Sequence, residues 1–239
     1  AACELDTAMS EEDYTDKLVV HFIDVGQGDS TLIEFPNGEV SLIDAGTRNN
    51  GKKVVEYLKE QGIKKIDYLI ATHPHEDHIG GLPEIVRAFE IDKVYMPDKT
   101  ANTRIFEELL EEIKAKDLKI NIAKGGDIIL DTGNLKYTIL APNMDDYDNT
   151  NNFSIVTKIE YKNNSFIISL GKDNTYGHPH KEVINKFKKT GSEILRTDEL
   201  GNIVFVSNGD EISQENLNRK SNINKGYYIG NKNTKIVHT

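Results

Sequence analysis

The sequence predicts an α/β or α+β chain built on two mixed β-sheets, and three observations carry that reading. Between Leu18 and Asp44 three runs rich in β-branched residues follow one another, the last two joined by Pro36-Asn37-Gly38. After Gly46 the apolar residues change to a period of about 3.6. Across residues 118–168 short apolar runs return, separated by polar turns.

The elements follow in order. Residues 1–16 are small and acidic, with no periodic apolar face, and read as a disordered leader to a domain over 17–210. Strands are predicted over 18–24, 30–35 and 39–44, with Pro36-Asn37-Gly38 as a hairpin turn because Asn and Gly tolerate positive φ. Val54, Val55 and Leu58 mark one face of a helix that Gly62 stops. A short buried strand over 66–71 comes next, then helices over 82–89 and 103–116 on either side of a strand at 93–95. Strands over 118–123, 127–130, 135–140, 154–161 and 165–168 follow, and a helix over about 179–189 with strands at 193–195 and 202–207 closes the domain. From Glu211 the composition becomes rich in Asn and Lys and poor in aliphatics, so 211–239 reads as a linker with one more strand or hairpin within 226–238.

Length and charge narrow the function classes. The 239 residues suffice for one domain with appendages. With 29 basic and 39 acidic residues the formal charge is −10, so a nucleic-acid partner is met at a local patch, such as Lys181, Lys186, Lys188 and Lys189, and not by overall charge. The longest apolar runs fall far short of the roughly 18 residues that a membrane span needs. A single cysteine, Cys3, excludes an internal disulfide and a Cys-rich zinc knuckle. Its setting, Ala1-Ala2-Cys3-Glu4, has the form of the end of a bacterial lipoprotein signal. On that reading Cys3 is lipidated and the protein sits outside the membrane, on the cell surface; the other reading is an ordinary thiol near a frayed terminus.

The chemistry concentrates in Thr72-His73-Pro74-His75-Glu76-Asp77-His78-Ile79-Gly80-Gly81. Imidazole and carboxylate are the ligands of zinc, manganese and iron, and a loop after a buried strand aims several of them at one point. Pro74 stiffens the loop, and Gly80-Gly81 lets backbone pass close to the site. Glu76, between ligand positions, points away. A solvated loop has no need of three imidazoles at this spacing. There is no Gly-x-Ser-x-Gly elbow for a serine hydrolase.

This loop, the opening His21-Phe22-Ile23-Asp24-Val25-Gly26-Gln27-Gly28-Asp29-Ser30 and the strand Leu42-Ile43-Asp44-Ala45-Gly46 together resemble the metallo-β-lactamase superfamily. More narrowly they resemble the metallo-hydrolase domain of ComEC-type competence proteins and their secreted free-standing relatives. The resemblance covers about residues 18–207 and implies an αββα sandwich, two β-sheets flanked by helices, with a metal site at one rim. It implies that His73 and His75 hold a first divalent metal, zinc or manganese, and that Asp77 and His78 hold a second and serve as the catalytic pair. Asp44 would orient the loop from behind. Asn152 lies where many members have another ligand histidine, and is either a weak ligand, a substrate contact or an ordinary turn residue. His178, in a Gly-His-Pro segment, faces the pocket or substrate, or else caps the helix after it. The segment 227–238 resembles the opening of a small Cys/His module, truncated before any cysteine.

The sequence also departs from the family. After Ile168 the resembled domains carry an Asp that bridges both metals and a Gly-His-His-Gly that supplies the last histidine, whereas here Phe166-Ile167-Ile168 passes straight into Ser169-Leu170-Gly171. A two-metal hydrolytic centre needs about three protein ligands per metal plus a bridge, and one loop supplies at most two each. Two functions are therefore expected: a metal-dependent hydrolase of a phosphodiester, DNA included, or another ester, in a competence and DNA-uptake setting; or a degenerate relative acting as an extracellular binding or accessory module. No protein partner is indicated, and the membrane enters only through a lipid on Cys3.

Overall fold

The computed structural model describes residues 14–144, 147–169 and 197–215. Within them lie two sheets. The larger has eight strands in the order β12-β11-β1-β2-β3-β4-β5-β6 and the smaller four, β10-β9-β8-β7. The strands are β1 (Leu18–Phe22), β2 (Thr31–Glu34), β3 (Val40–Ile43), β4 (Lys65–Ile70), β5 (Glu90–Met96), β6 (Ile120–Ile122), β7 (Ile128–Asp131), β8 (Leu135–Ala141), β9 (Val156–Tyr161), β10 (Asn164–Ser169), β11 (Ile203–Ser207) and β12 (Ile212–Glu215). Four helices intervene, α1 (Gly51–Glu60), α2 (Glu76–Ile79), α3 (Leu82–Ala88) and α4 (Arg104–Ala115), with a helical turn at Thr197–Leu200.

The larger sheet is mixed: β12, β11, β1, β2 and β3 pair antiparallel, then β3, β4, β5 and β6 run parallel. The smaller sheet is antiparallel throughout its described strands. Two of its connections, Thr132-Gly133-Asn134 and Lys162-Asn163, are too short for the crossover that a parallel pair requires.

Alternation along the strands sorts the core into two layers. Leu18, Val20, Phe22, Ile33, Ile43 and Ile70 meet Leu135, Tyr137, Ile139, Ile159 and Tyr161 between the sheets. Leu32, Leu42, Ile66, Leu69 and Val94 face the other way, against the helices. In α1, Val54, Tyr57 and Leu58 recur at helical spacing and are buried there. Gly62, at φ +80°, ends the helix, with Ile63 N–H returning to the Leu58 carbonyl. In α4 the Thr103 side chain caps the Phe106 N–H, and Ile105, Phe106, Leu109 and Ile113 form the buried stripe.

Three differences from the sequence reading have physical causes. The four residues of α2 sit inside the expected metal loop, where the histidine pattern hid a helical turn. The strand expected from residue 154 begins at Val156, because Ile155 N–H is bonded to the Thr72 carbonyl instead of to a strand. Strand β12 lies beyond residue 210, where a linker is expected, and pairs with β11 from Ile212 to Glu215. The last residues of the expected leader are also held, with Tyr14 packed on Val19, Val204 and Val206 and its hydroxyl bonded to Glu215. Cys3, the segment with His178, the helix expected over 179–189 with its lysines, the strand at 193–195 and the tail from 216 lie outside the described residues.

Candidate metal centre

Parallel pairing of β3 with β4 brings their carboxyl ends side by side, the place where open α/β sheets gather functional loops. Asp44 follows β3 directly, and Thr72 and His73 follow β4 after Ala71. Asp44 has φ +54°, a left-handed conformation that Asp tolerates better than most side chains. Its N–H bonds to the Ile70 carbonyl at 2.9 Å, and its fully buried carboxylate faces the neighbouring strand's loop.

That carboxylate organises the loop. Its Oδ1 accepts the Thr72 backbone N–H at 2.8 Å, and its Oδ2 accepts the Thr72 hydroxyl and lies 2.9 Å from His78 Nδ1. Helix α2 turns His78 inward and leaves Glu76 exposed, as the sequence reading expects. The His73 ring centroid is 4.7 Å from that of His75 and 4.1 Å from that of His78. Asp77 Oδ2 stands 3.7 Å from His78 Nε2. The structure therefore draws His73, His75, Asp77, His78 and Asp44 together.

Glycines permit this density. Gly28 has φ +105°, and a Cβ there would stand 2.0 Å from the Asp77 carbonyl oxygen, which also accepts the Asp29 N–H. At Gly81 a Cβ would meet the Ala45 carbonyl at 2.3 Å. The loops after β1, β3 and β4 are thus laced through backbone at contact distance.

Burial and charge set the proton affinities. Burial, with His78 and His75 nearby, lowers the His73 imidazole to about 2, so it is neutral across the working range. Burial also disfavours a charged His78, but the Asp44 hydrogen bond and the charges of Asp44, Asp29 and Asp77 outweigh it and raise that group to about 9. Asp44 is itself pushed up by burial, against the bonds from His78 and Thr72, so the two titrate as a coupled pair. Asp29, 5 % exposed, has its Oδ2 3.7 Å from His78 Nδ1 and adds a second buried carboxylate beside that ring.

Two buried ring nitrogens, His75 Nδ1 and His78 Nε2, have no hydrogen-bond partner. A buried imidazole nitrogen without a partner is costly unless something binds it, and beside Asp77 the donor set is the one zinc and manganese take. These residues fit a divalent metal. Among the described residues, however, no three His, Cys, Asp or Glu side chains already stand in a metal-holding arrangement. The donors occur as neighbouring pairs and not as one converged cluster.

The turn Thr150–Phe153 closes the site from the smaller sheet. Asn152 is exposed on it, while Asn151 carries a buried side-chain oxygen without a partner. The residue that reaches the loop is Ser154, whose Oγ lies 3.1 Å from His73 Nδ1. Thr72 and Ser154 are the participants that sequence reasoning missed. Their only signal is position, one directly before His73 and the other closing Asn151-Asn152-Phe153-Ser154. His21, the remaining described histidine, is occupied elsewhere, with Nδ1 2.9 Å from the Tyr57 hydroxyl and Nε2 2.9 Å from Glu34.

The chain is 25 % identical over 253 aligned positions to ComE operon protein 3 of Bacillus subtilis, covering 78 % of this chain and 32 % of that one. It is 25 % identical over 221 positions to competence protein ComA of Neisseria gonorrhoeae, covering 76 % and 31 %. The chain thus spans about a third of the length of these relatives. The S60 mutant of a Cronobacter sakazakii metallo-beta-lactamase with a HARLDQ motif superposes with a TM-score of 0.46 at 16 % identity, over 67 % of this chain and 62 % of the other. Residues 23–150, more than half of the chain, match the metallo-beta-lactamase superfamily, and to that superfamily the chain belongs.

Proposed function

We propose that this protein is a metal-dependent hydrolase that cleaves a phosphodiester, with nucleic acid as the substrate class. The observation that carries the reading is the pair of buried, unpartnered nitrogens on His75 and His78, with Asp44 holding the far side of the His78 ring. His73, His75, Asp77 and His78 would hold the metal, zinc or manganese, as one ion or two. A bound divalent metal supplies hydroxide at neutral pH and a positive charge for the scissile group. The chain's own residues orient the donors: Asp44 fixes His78, Thr72 and Ser154 hold His73, and the Gly28 turn braces Asp77.

The substrate class is supported by the likeness to two competence proteins. A place on the cell surface is supported by the same likeness and by the Ala1-Ala2-Cys3 opening, with Cys3 as the lipidation site. No helix among the described residues is long and apolar enough to cross a membrane.

The test is to incubate the protein with manganese or zinc and single-stranded DNA. Cleavage that disappears in His75→Ala is the expected result; no cleavage with either metal, at no rate altered by the substitution, overturns it.

A second reading has its own observation. The alignment with ComE operon protein 3 has 253 positions, while 78 % of this chain is about 186 residues, so the relative has residues opposite gaps here. A domain lacking part of the ligand set would keep the fold as a binding or accessory module. Metal analysis separates the two, since a module of that kind stays metal-free when zinc or manganese is supplied.

A further inference from the structure

The loop after β5 stands next to the histidine loop. Strands β4 and β5 run parallel, Ile70 pairs with Tyr95, and the Ala71 N–H is bonded to the Tyr95 carbonyl. Residues 97–103 therefore leave the larger sheet at the same rim as the histidines. Lys99 lies on that loop, half-buried, with its Nζ 4.6 Å from the centroid of the buried Phe153 ring. Phe153 directly precedes Ser154, whose Oγ lies 3.1 Å from His73 Nδ1. The Tyr147 ring meets the same phenyl group edge-on at 4.9 Å, and the Tyr147 hydroxyl accepts the N–H groups of Asn143 and Met144 at 2.8 and 3.0 Å. The phenyl ring is thereby fixed as a seat for the ammonium.

A ring face attracts a cation without neutralising it. Among the described residues no carboxylate stands within ion-pair distance of Lys99 Nζ, and no acceptor takes any of its three N–H donors. Other lysines are engaged: Lys65 pairs with Asp67, Lys158 pairs with Glu160, and Lys116 and Lys162 donate to backbone carbonyls. Lys99 thus holds a full positive charge, with its donors unspent, at the rim of the loop that carries the metal donors.

We propose that Lys99, seated on Phe153, is a substrate-binding residue that receives the phosphate next to the scissile one in a single nucleic-acid strand. It selects a polyanionic chain over an uncharged ester. The inference rests on the reading of the histidine loop as the site of phosphodiester cleavage. Lys99 bonds none of the metal donors, so its partner is a part of the substrate beyond the reacting group. The formal charge is −10, and Asp98 and Asp148 are exposed on the same two loops, so the net field gives a strand no attraction at a distance. The contact is short-ranged and counts as one phosphate.

The experiment is fluorescence anisotropy of a labelled single-stranded oligothymidylate with the full chain in EDTA at several salt concentrations, and cleavage in manganese alongside. Lys99→Met keeps a long apolar stem over Phe153 and removes the charge, while Lys99→Arg keeps both the charge and the ring contact. Lys99→Met is expected to bind roughly tenfold more weakly. Its slope of log Kd against log salt should be shallower by about 0.7, the contribution of one single-strand phosphate, and Lys99→Arg should restore both. An oligothymidylate with uncharged methylphosphonate linkages should bind wild type and Lys99→Met alike. Equal affinity and slope for wild type and Lys99→Met with the charged strand overturns the subsite, as does a wild type that binds no DNA. In cleavage, KM should rise in Lys99→Met with kcat spared; an unchanged KM sinks the subsite and leaves the hydrolase standing. Lys99-dependent binding with no cleavage in manganese or zinc sinks the hydrolase and leaves the subsite in place.

Discussion

Ser154 Oγ lies 3.1 Å from His73 Nδ1 although 81 positions of chain separate the two residues. With the Ile155 N–H bonded to the Thr72 carbonyl, this contact keys the smaller sheet to the loop on the larger one. Packing between the sheets and the form of the site are thus mechanically linked.

Tyr137 tests that link. It is fully buried against Phe35 and Tyr68, with ring centroids 5.2 and 6.3 Å away, and its hydroxyl is 3.3 Å from Ser41 Oγ. Tyr137→Ala is expected to cost about 3–5 kcal/mol in urea denaturation, and Tyr137→Phe about 1 kcal/mol. The alanine variant should also bind zinc more weakly, an effect that phenylalanine spares.

Gly28→Ala puts a methyl group 2.0 Å from the Asp77 carbonyl at a φ of +105°. We expect destabilisation of about 1–3 kcal/mol and a drop in metal affinity, read by denaturation and by zinc titration on the same sample. An alanine variant with wild-type affinity would show that the turn does not brace Asp77.

Metal should raise the melting temperature in proportion to the logarithm of its concentration above Kd. That rise is expected to vanish in His75→Ala and His78→Ala. It should persist in His21→Gln, whose parent ring is already engaged with Tyr57 and Glu34. The latter variant starts from a lower melting temperature, so the comparison is the shift on adding zinc.

The pH dependence of the outer helices is a separate matter. Hydrogen bonds from Arg87, helped by Arg48, hold the Glu108 carboxyl below its ordinary value. A depressed carboxylate contributes stability that is present above the unfolded pKa of about 4.3 and lost as pH falls through the folded value. Because the network is partly exposed, Glu108→Gln should cost no more than about 1 kcal/mol at neutral pH. Denaturation curves of variant and wild type should converge toward pH 3, and a gap that stays constant would contradict the ion-pair origin.

The parts of this fold that announce themselves in the sequence are those governed by local rules. The helix face of Val54 and Leu58, the Gly62 stop, the Pro36-Asn37-Gly38 hairpin and the histidine loop are all periodic or motif features. What stayed hidden depends on long-range pairing. Strand β12 is a weakly apolar run that becomes a strand only because β11 offers an edge, and its four residues give no period to read. The site divides the same way. Imidazoles and carboxylates mark themselves by type, while Thr72 and Ser154 are common hydroxyl residues whose role exists only once β4 and the turn before β9 have come together.

The bond between Tyr14 and Glu215 has a bearing on attachment. It brings the first and last described residues to one corner of the molecule, at the β12 edge. Strand β12 stands four places from β3 in the larger sheet, roughly 19 Å at about 4.8 Å per strand. The chain thus enters and leaves the described fold at one corner, away from the histidine loop.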